Sequence, residues 1–126
     1  MLGDSPINPV LLSKDLAETR RFYHDLLGLE ILSESEEEID FKCGGGTHLA
    51  VTKSTTGTAD SQTQAGWEVK DLRVEIAELR SRGVKIEEYD MPGLKTDDGI
   101  ADIGFAWMAW IIDPGKNALA IMQIKK

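Results

Sequence analysis

The triplet Lys14-Asp15-Leu16 recurs as Lys70-Asp71-Leu72, and Gly28 and Ile31 recur as Gly83 and Ile86. The start, the stop and the following strand of one helix are thus repeated in order, the second helix being one residue shorter. A duplicated module accounts for this better than coincidence. Half of a 126-residue chain buries little surface alone. Two copies are therefore expected to pack together and curl their sheets around a shared cleft.

Each copy reads as β-α-β-β-β. Pro9–Ser13 is an apolar strand, and Asp15 followed by Glu18 has the spacing of a capping box. Thr19, Phe22, Tyr23, Leu26 and Leu27 then fall on one helical face. Gly28 is placed to stop that helix. Strands are expected over Glu30–Ser35, Ile39–Cys43 and His48–Lys53, the last two joined by a Gly44-Gly45-Gly46 turn. A polar stretch, Ser54–Thr63, precedes the second copy. That copy comprises a strand over Ala65–Lys70, a helix capped by Asp71 with Leu72, Ile76 and Leu79 inward, and a stop at Gly83. Strands over Val84–Tyr89, Phe105–Ile112 and Ala118–Ile124 follow, with a long loop at Pro92–Gly104. The expectation is one α+β domain over 1–126, with module one at 7–53, a linker at 54–63 and module two at 64–125.

The totals exclude several classes. A formal charge of −8, with 14 basic residues scattered among 22 acidic ones, does not suit a polyanion, so no nucleic-acid partner is expected. No run of apolar residues is long enough to span a bilayer, and no membrane partner is expected. The opening residues Met1–Pro6 lack the charged and apolar regions of a secretory leader. Cys43 is the single cysteine, which fits a reducing, cytoplasmic setting. The acidic run Glu34–Glu38 reads as a solvated turn or strand edge.

The helix sequence Phe22-Tyr23-His24-Asp25-Leu26-Leu27-Gly28-Leu29 resembles the first-helix signature of the vicinal oxygen chelate superfamily, which includes glyoxalase I, extradiol dioxygenases and bleomycin-resistance proteins. The turn Asp113-Pro114-Gly115-Lys116-Asn117 resembles that family's Asp-Pro-Asp-Gly-Asn turn before its last strand. The similarity runs over roughly residues 8–124. It implies the fold of two tandem modules around a cleft; because that fold hosts unrelated chemistries, it does not imply one reaction. Metal-binding relatives would place their ligands, by the resemblance, at Asn8, Ala50, Gln64 and Ala120. Alanine cannot ligate, and carboxamides are poor donors without anionic company. Neither a metal nor another cofactor is therefore expected, and the family's metal chemistry is not.

The remaining candidates divide between function and packing. If Ala50 faces the cleft, strand alternation puts His48 there too, as a base or a hydrogen-bonding group; the plainer reading is a solvated strand-edge histidine without an identifiable carboxylate partner. Glu68 shares the parity of Gln64 and is either a base at the cleft mouth or an exposed carboxylate. Trp110 shares the parity of Met108 and either stacks on a ligand or packs in the core. Trp67 and Trp107 have the opposite parity and are expected beneath helices. His24 is expected in solvent, and nothing near Cys43 would activate its thiol. The resulting expectation is a metal-independent protein holding a small organic ligand, neutral or cationic, against Asn8, His48, Gln64, Met108, Trp110, Ala120 and Met122. The alternatives are an enzyme of unknown substrate, either metal-free with His48 or Glu68 as base or a glyoxalase-like lyase, isomerase or dioxygenase whose ligands lie elsewhere, and an assembly or regulatory module with a vestigial cleft. The resemblance further implies a homodimer.

Overall fold

The structure is a computed structural model that describes residues 1–55, 57–58 and 62–126. The chain divides into two compact units, one from each half, with the turn residues Pro114–Asn117 counted in the first. The first unit holds β1 (Val10–Ser13), α1 (Leu16–Arg20), β2 (Glu30–Glu34), β3 (Glu38–Lys42) and β4 (His48–Lys53). Its sheet runs β1-β4-β3-β2, with β1 parallel to β4 and the other pairs antiparallel. The second unit holds β5 (Thr63–Glu68), α2 (Leu72–Ser81), β6 (Asp90–Met91), β7 (Leu94–Lys95), β8 (Ala101–Asp102), β9 (Ala106–Ile112) and β10 (Ala118–Ile124). Its main sheet runs β5-β10-β9-β8, again with one parallel pair, β5 and β10. The same strand permutation appears twice, as the repeated triplet and glycines require.

The capping aspartates act as their positions demand. The Asp15 carboxylate accepts from the amides of Ala17 and Glu18 at 3.0 and 3.1 Å, and Asp71 accepts from Val74 at 3.2 Å. The reciprocal half of the expected capping box is made differently: the Asp15 amide donates to Ser13 Oγ at 3.2 Å. Ser13 and Thr19 are both buried, and their hydroxyls meet at 2.8 Å, so the pair satisfies itself under the helix start. Gly28 and Gly83, at φ 78° and 86°, end the helical segments in the left-handed conformation that side chains resist.

Each helix covers one sheet face. Thr19, Phe22 and Tyr23 are buried, Leu26 and Leu27 half-buried, and the Tyr23 ring lies 5.2 Å from that of Phe41. Alternation along β3 and β4 sends Ile39, Phe41, Leu49 and Val51 to this side. In the second unit Leu72, Ile76 and Leu79 are buried on α2, and Ala109, Ile111, Leu119 and Ile121 are buried on β9 and β10. Each large aliphatic or aromatic side chain so buried contributes about 1.5–3 kcal/mol.

Four local expectations need correction. The first helix does not stay α-helical: Arg21–Leu26 form a π-helical turn. His24 is half-buried rather than solvated, with Nδ1 2.8 Å from the Leu29 carbonyl beyond the helix end. Val84–Tyr89 is not a strand. Val84 and Ile86 point inward as a strand pattern would, but the segment makes one backbone bond to the sheet, from the Glu87 amide to the Trp110 carbonyl at 2.9 Å. The edge strand is instead β8, inside the stretch read as the Pro92–Gly104 loop, where Ala101 and Asp102 pair with Met108 and Trp107. That stretch also supplies β7 to a small hairpin with β6. Element ends shift by one or two residues elsewhere; β5 begins at Thr63 and stops at Glu68. Of the 54–63 linker, Thr56, Ala59, Asp60 and Ser61 lie outside the described residues. Among the described residues, no helix is long and apolar enough to cross a membrane.

Candidate functional site

In each unit the sheet face away from the helix carries the candidates. On the first, β4 presents His48, Ala50 and Thr52, because Leu49 and Val51 turn to the core. Strand register sets Val10 and Asp40 beside Ala50, Lys42 beside His48 and Glu38 beside Thr52. Val10 is 59% exposed and Leu12 39%, so this face is open. The structure brings Asn8 and His48 together: the His48 amide donates to Asn8 Oδ1 at 3.2 Å. It also supplies the carboxylate partner that the sequence reading did not find, since Asp40 Oδ2 lies 3.2 Å from His48 Nδ1. The signal was present. Ile39 and Phe41 are core residues, so Asp40 must share the open face, and the hairpin through Gly44–Gly46 sets its distance from His48. With the proton on Nδ1 and Asp40 accepting it, Nε2 offers a lone pair to a ligand's donor group or to a proton in transfer.

The corresponding face of the second sheet carries Met108 and Trp110 on β9, opposite Met122 and Ala120 on β10. Gly66 and Glu68 on β5 complete the row beside Ala120 and Met122. Gly66 sits tightly against β10: a Cβ there would stand 3.0 Å from the Ala120 carbonyl oxygen and 3.3 Å from its methyl, so a side chain at 66 needs Ala120 to give by a few tenths of an ångström. The parity expected for Trp110 is correct, yet the ring is 8% exposed and Ala120 4%. With Ala101 they form a small apolar cluster packed against Tyr89, Leu94, Ile103 and Met108. The Tyr89 ring stands edge-on to Trp110, centroids 5.6 Å apart. The indole N–H of Trp110 already donates to Thr63 Oγ1 at 3.0 Å. Burial, with a smaller push from the Glu87 carboxylate, raises the Tyr89 phenol above its ordinary pKa. Gln64 and Glu68 are exposed, and Met122 is half-buried.

The donor set at the four positions implied for a metal does not fit one. Asn8 and Gln64 offer neutral carboxamides, Ala50 and Ala120 offer methyl groups, and Ala120 is buried. Among the described residues no three His, Cys, Asp or Glu side chains gather as a metal would need. Of the other tryptophans, Trp67 is half-buried, whereas Trp107 is not covered as expected: it is 39% exposed, and Lys125 Nζ sits 4.1 Å from its ring centre.

The model of the glyoxalase/bleomycin resistance protein/dioxygenase superfamily matches residues 7–120. The fold is similar to that of a glyoxalase/bleomycin resistance protein/dioxygenase from Alicyclobacillus acidocaldarius (TM-score 0.76, 16% identity, covering 98% of this chain and 93% of that one). It is also similar to TnmS3, an antibiotic binding protein from Streptomyces sp. CB03234 (TM-score 0.70, 18% identity, 97% and 98% covered). A lactoylglutathione lyase from Agrobacterium tumefaciens has the fold as well (TM-score 0.65, 20% identity, 95% and 93% covered). At these identities the likeness is one of fold. A search of curated proteins returned no match.

Proposed function

The chain belongs to the glyoxalase/bleomycin resistance protein/dioxygenase superfamily, and from that premise we propose that it is a metal-independent protein that binds a small organic molecule. The observation that carries this reading is the donor set: carboxamides and methyl groups stand at Asn8, Gln64, Ala50 and Ala120, where the family resemblance puts ion-holding side chains. What those positions retain is hydrogen-bonding capacity and apolar surface, the two things a ligand site without an ion uses. A structural neighbour described as an antibiotic binding protein is consistent with such a use of the fold.

In this reading the open face of the first sheet takes the ligand's polar group. His48 Nε2 accepts from it, Asn8 contributes its amide N–H donors, and Val10, Leu12 and Ala50 supply apolar surface. On the second sheet Met108, Met122 and Gln64 are accessible, and the thioethers adapt to irregular shapes. Trp110 and Ala120 take part only when Tyr89 and Leu94 withdraw from them. The protein's charge of −8 favours a neutral or cationic ligand. Homodimer formation belongs to the same proposal and rests on the resemblance; light scattering behind a sizing column checks it.

A second reading is favoured by one observation. The Asp40–His48 pair has the arrangement of a carboxylate orienting an imidazole base, which suits metal-free proton abstraction. Glu68, exposed on the edge strand β5, has no comparable support.

A thermal-shift screen of aromatic, cationic and antibiotic-like compounds, run with and without EDTA, tests the proposal. A ligand at a hundred times its dissociation constant should add about 2.7 kcal/mol of stability, unchanged by chelator. Stabilisation that disappears with EDTA would overturn the metal-independent reading. Turnover of a hit that is lost in H48Q would move the protein to the second one.

A further inference from the structure

A cavity of about 280 Å³ opens on the opposite side of the second sheet, lined by Lys70, Asp71, Leu72, Arg73, Ile100, Trp107 and Gln123. It is distinct from the faces described above. Trp107 alternates with Met108 and Trp110 along β9 and so points to the helix side, where α2 begins.

Three properties of this cavity define a ligand. Its wall is an indole left 39% exposed, an unusual use of the side chain that gains most from burial. Its rim carries Lys70 and Arg73, and neither is ion-paired among the described residues. The rim also carries one carboxylate, Asp71, whose Oδ1 accepts from the Val74 amide, so the three ionic side chains leave a single net positive charge; Gln123 Oε1 is occupied by the Leu72 amide at 2.7 Å. The Trp107 ring is also held in place. Lys125 Nζ lies 4.1 Å from its centre, and Asp102 anchors that ammonium at 2.6 Å. Lys125 is not among the residues that line the cavity. Two unpaired cations beside a fixed aromatic wall stand out in a chain whose net charge is −8.

We propose that this cavity is a second binding site, selective for a small aromatic carboxylate. The ring stacks on Trp107 between Ile100 and Leu72, and the carboxylate reaches the Arg73 guanidinium, whose planar fork matches it, with Lys70 as a second cation. The volume lies just below the range of about 300–1,000 Å³ typical of drug-sized ligands and has room for a single ring with its acid group. The site is independent of the ligand proposed for the other faces, and its selectivity is opposite in sign.

The test is a titration of the ¹⁵N-labelled protein with benzoate, benzyl alcohol and benzylamine, following the three indole N–H resonances assigned through W107F and W110F. Benzoate should move the Trp107 resonance saturably and leave the Thr63-bound Trp110 resonance in place. Benzylamine should move neither. K70Q and R73Q, both at exposed positions that do not hold the fold, should each weaken benzoate binding about tenfold, while R73K recovers only part of the loss. Equal responses to all three probes would show an apolar patch without acid recognition and overturn the proposal. So would a Trp107 resonance that benzoate leaves unmoved.

Discussion

The two modules share one strand order but treat the same sheet face in opposite ways. In the first, the face away from the helix is open, with Val10 and Leu12 in solvent around the Asp40–His48 pair. In the second, Trp110, Ala120 and Ala101 lie on that face and are closed over by Tyr89, Leu94 and Ile103. The cover comes from the long connection between α2 and β8 together with Ile103; in the first module the helix is followed almost at once by β2, the strand that β8 matches in the sheet order. The two copies share a scaffold, and the longer connection after α2 covers in the second the face that is open in the first.

That contrast can be broken by measurement, and the largest effect should come from the covered side. W110A removes a buried ring and leaves Tyr89 without its partner, which should cost about 3–5 kcal/mol in urea unfolding. Val10→Ala on the open face should change stability by no more than about 0.5 kcal/mol. Comparable losses for the two would mean that the first face is covered in solution too. Next in size, Y89A should cost about 1–2 kcal/mol and shift Trp110 emission to the red as water reaches the ring. An unshifted spectrum would show that the cover is not what keeps Trp110 dry.

D40N should sharpen the contrast from the other side. The pair is partly exposed, so stability should fall by less than about 1 kcal/mol. Affinity for any ligand that uses His48 should nonetheless drop about tenfold, because the imidazole loses the partner that fixes its tautomer. Unchanged affinity would remove His48 from the site.

The smallest effect concerns Tyr89. Its folded pKa is raised above the ordinary value of 10.0, chiefly by burial and secondarily by Glu87. The folded state therefore holds the phenolic proton more tightly than the unfolded chain does. The resulting stability is complete below pH 10 and declines as pH climbs through the raised folded value. A shallow loss of stability above pH 10 that is absent in Y89F is the expected result, and E87Q should reduce it.

The sequence carried the parts of this structure that are local or periodic. Asp15 and Asp71 announced helix starts, Gly28 and Gly83 announced stops, and parity assigned Met108 and Trp110 to one face and Trp107 to the other. The errors arose where a non-local competitor decided the outcome. Val84–Tyr89 has a strand's alternation, but β8 takes the edge of β9 at Trp107 and Met108, leaving the segment a single backbone bond to that sheet. Whether Trp110 met solvent depended on Tyr89 and Leu94, neither of which is near it in sequence. Asp40 was legible in principle, because hairpin register across Gly44–Gly46 fixes its place beside His48. The Trp107 cavity was not, because it needs the loop position of Ile100 and Gln123 on the last strand as well as the helix start.

The proposed function requires packing and hydrogen bonds, not a coordinated ion, to hold the ligand. Elemental analysis after incubation with zinc, nickel, manganese and iron, followed by exhaustive buffer exchange, tests it most directly. The account predicts retention of less than about a tenth of an equivalent of any of them. A full equivalent retained per chain, and lost on substitution of residues on the face of either sheet away from its helix, would contradict it.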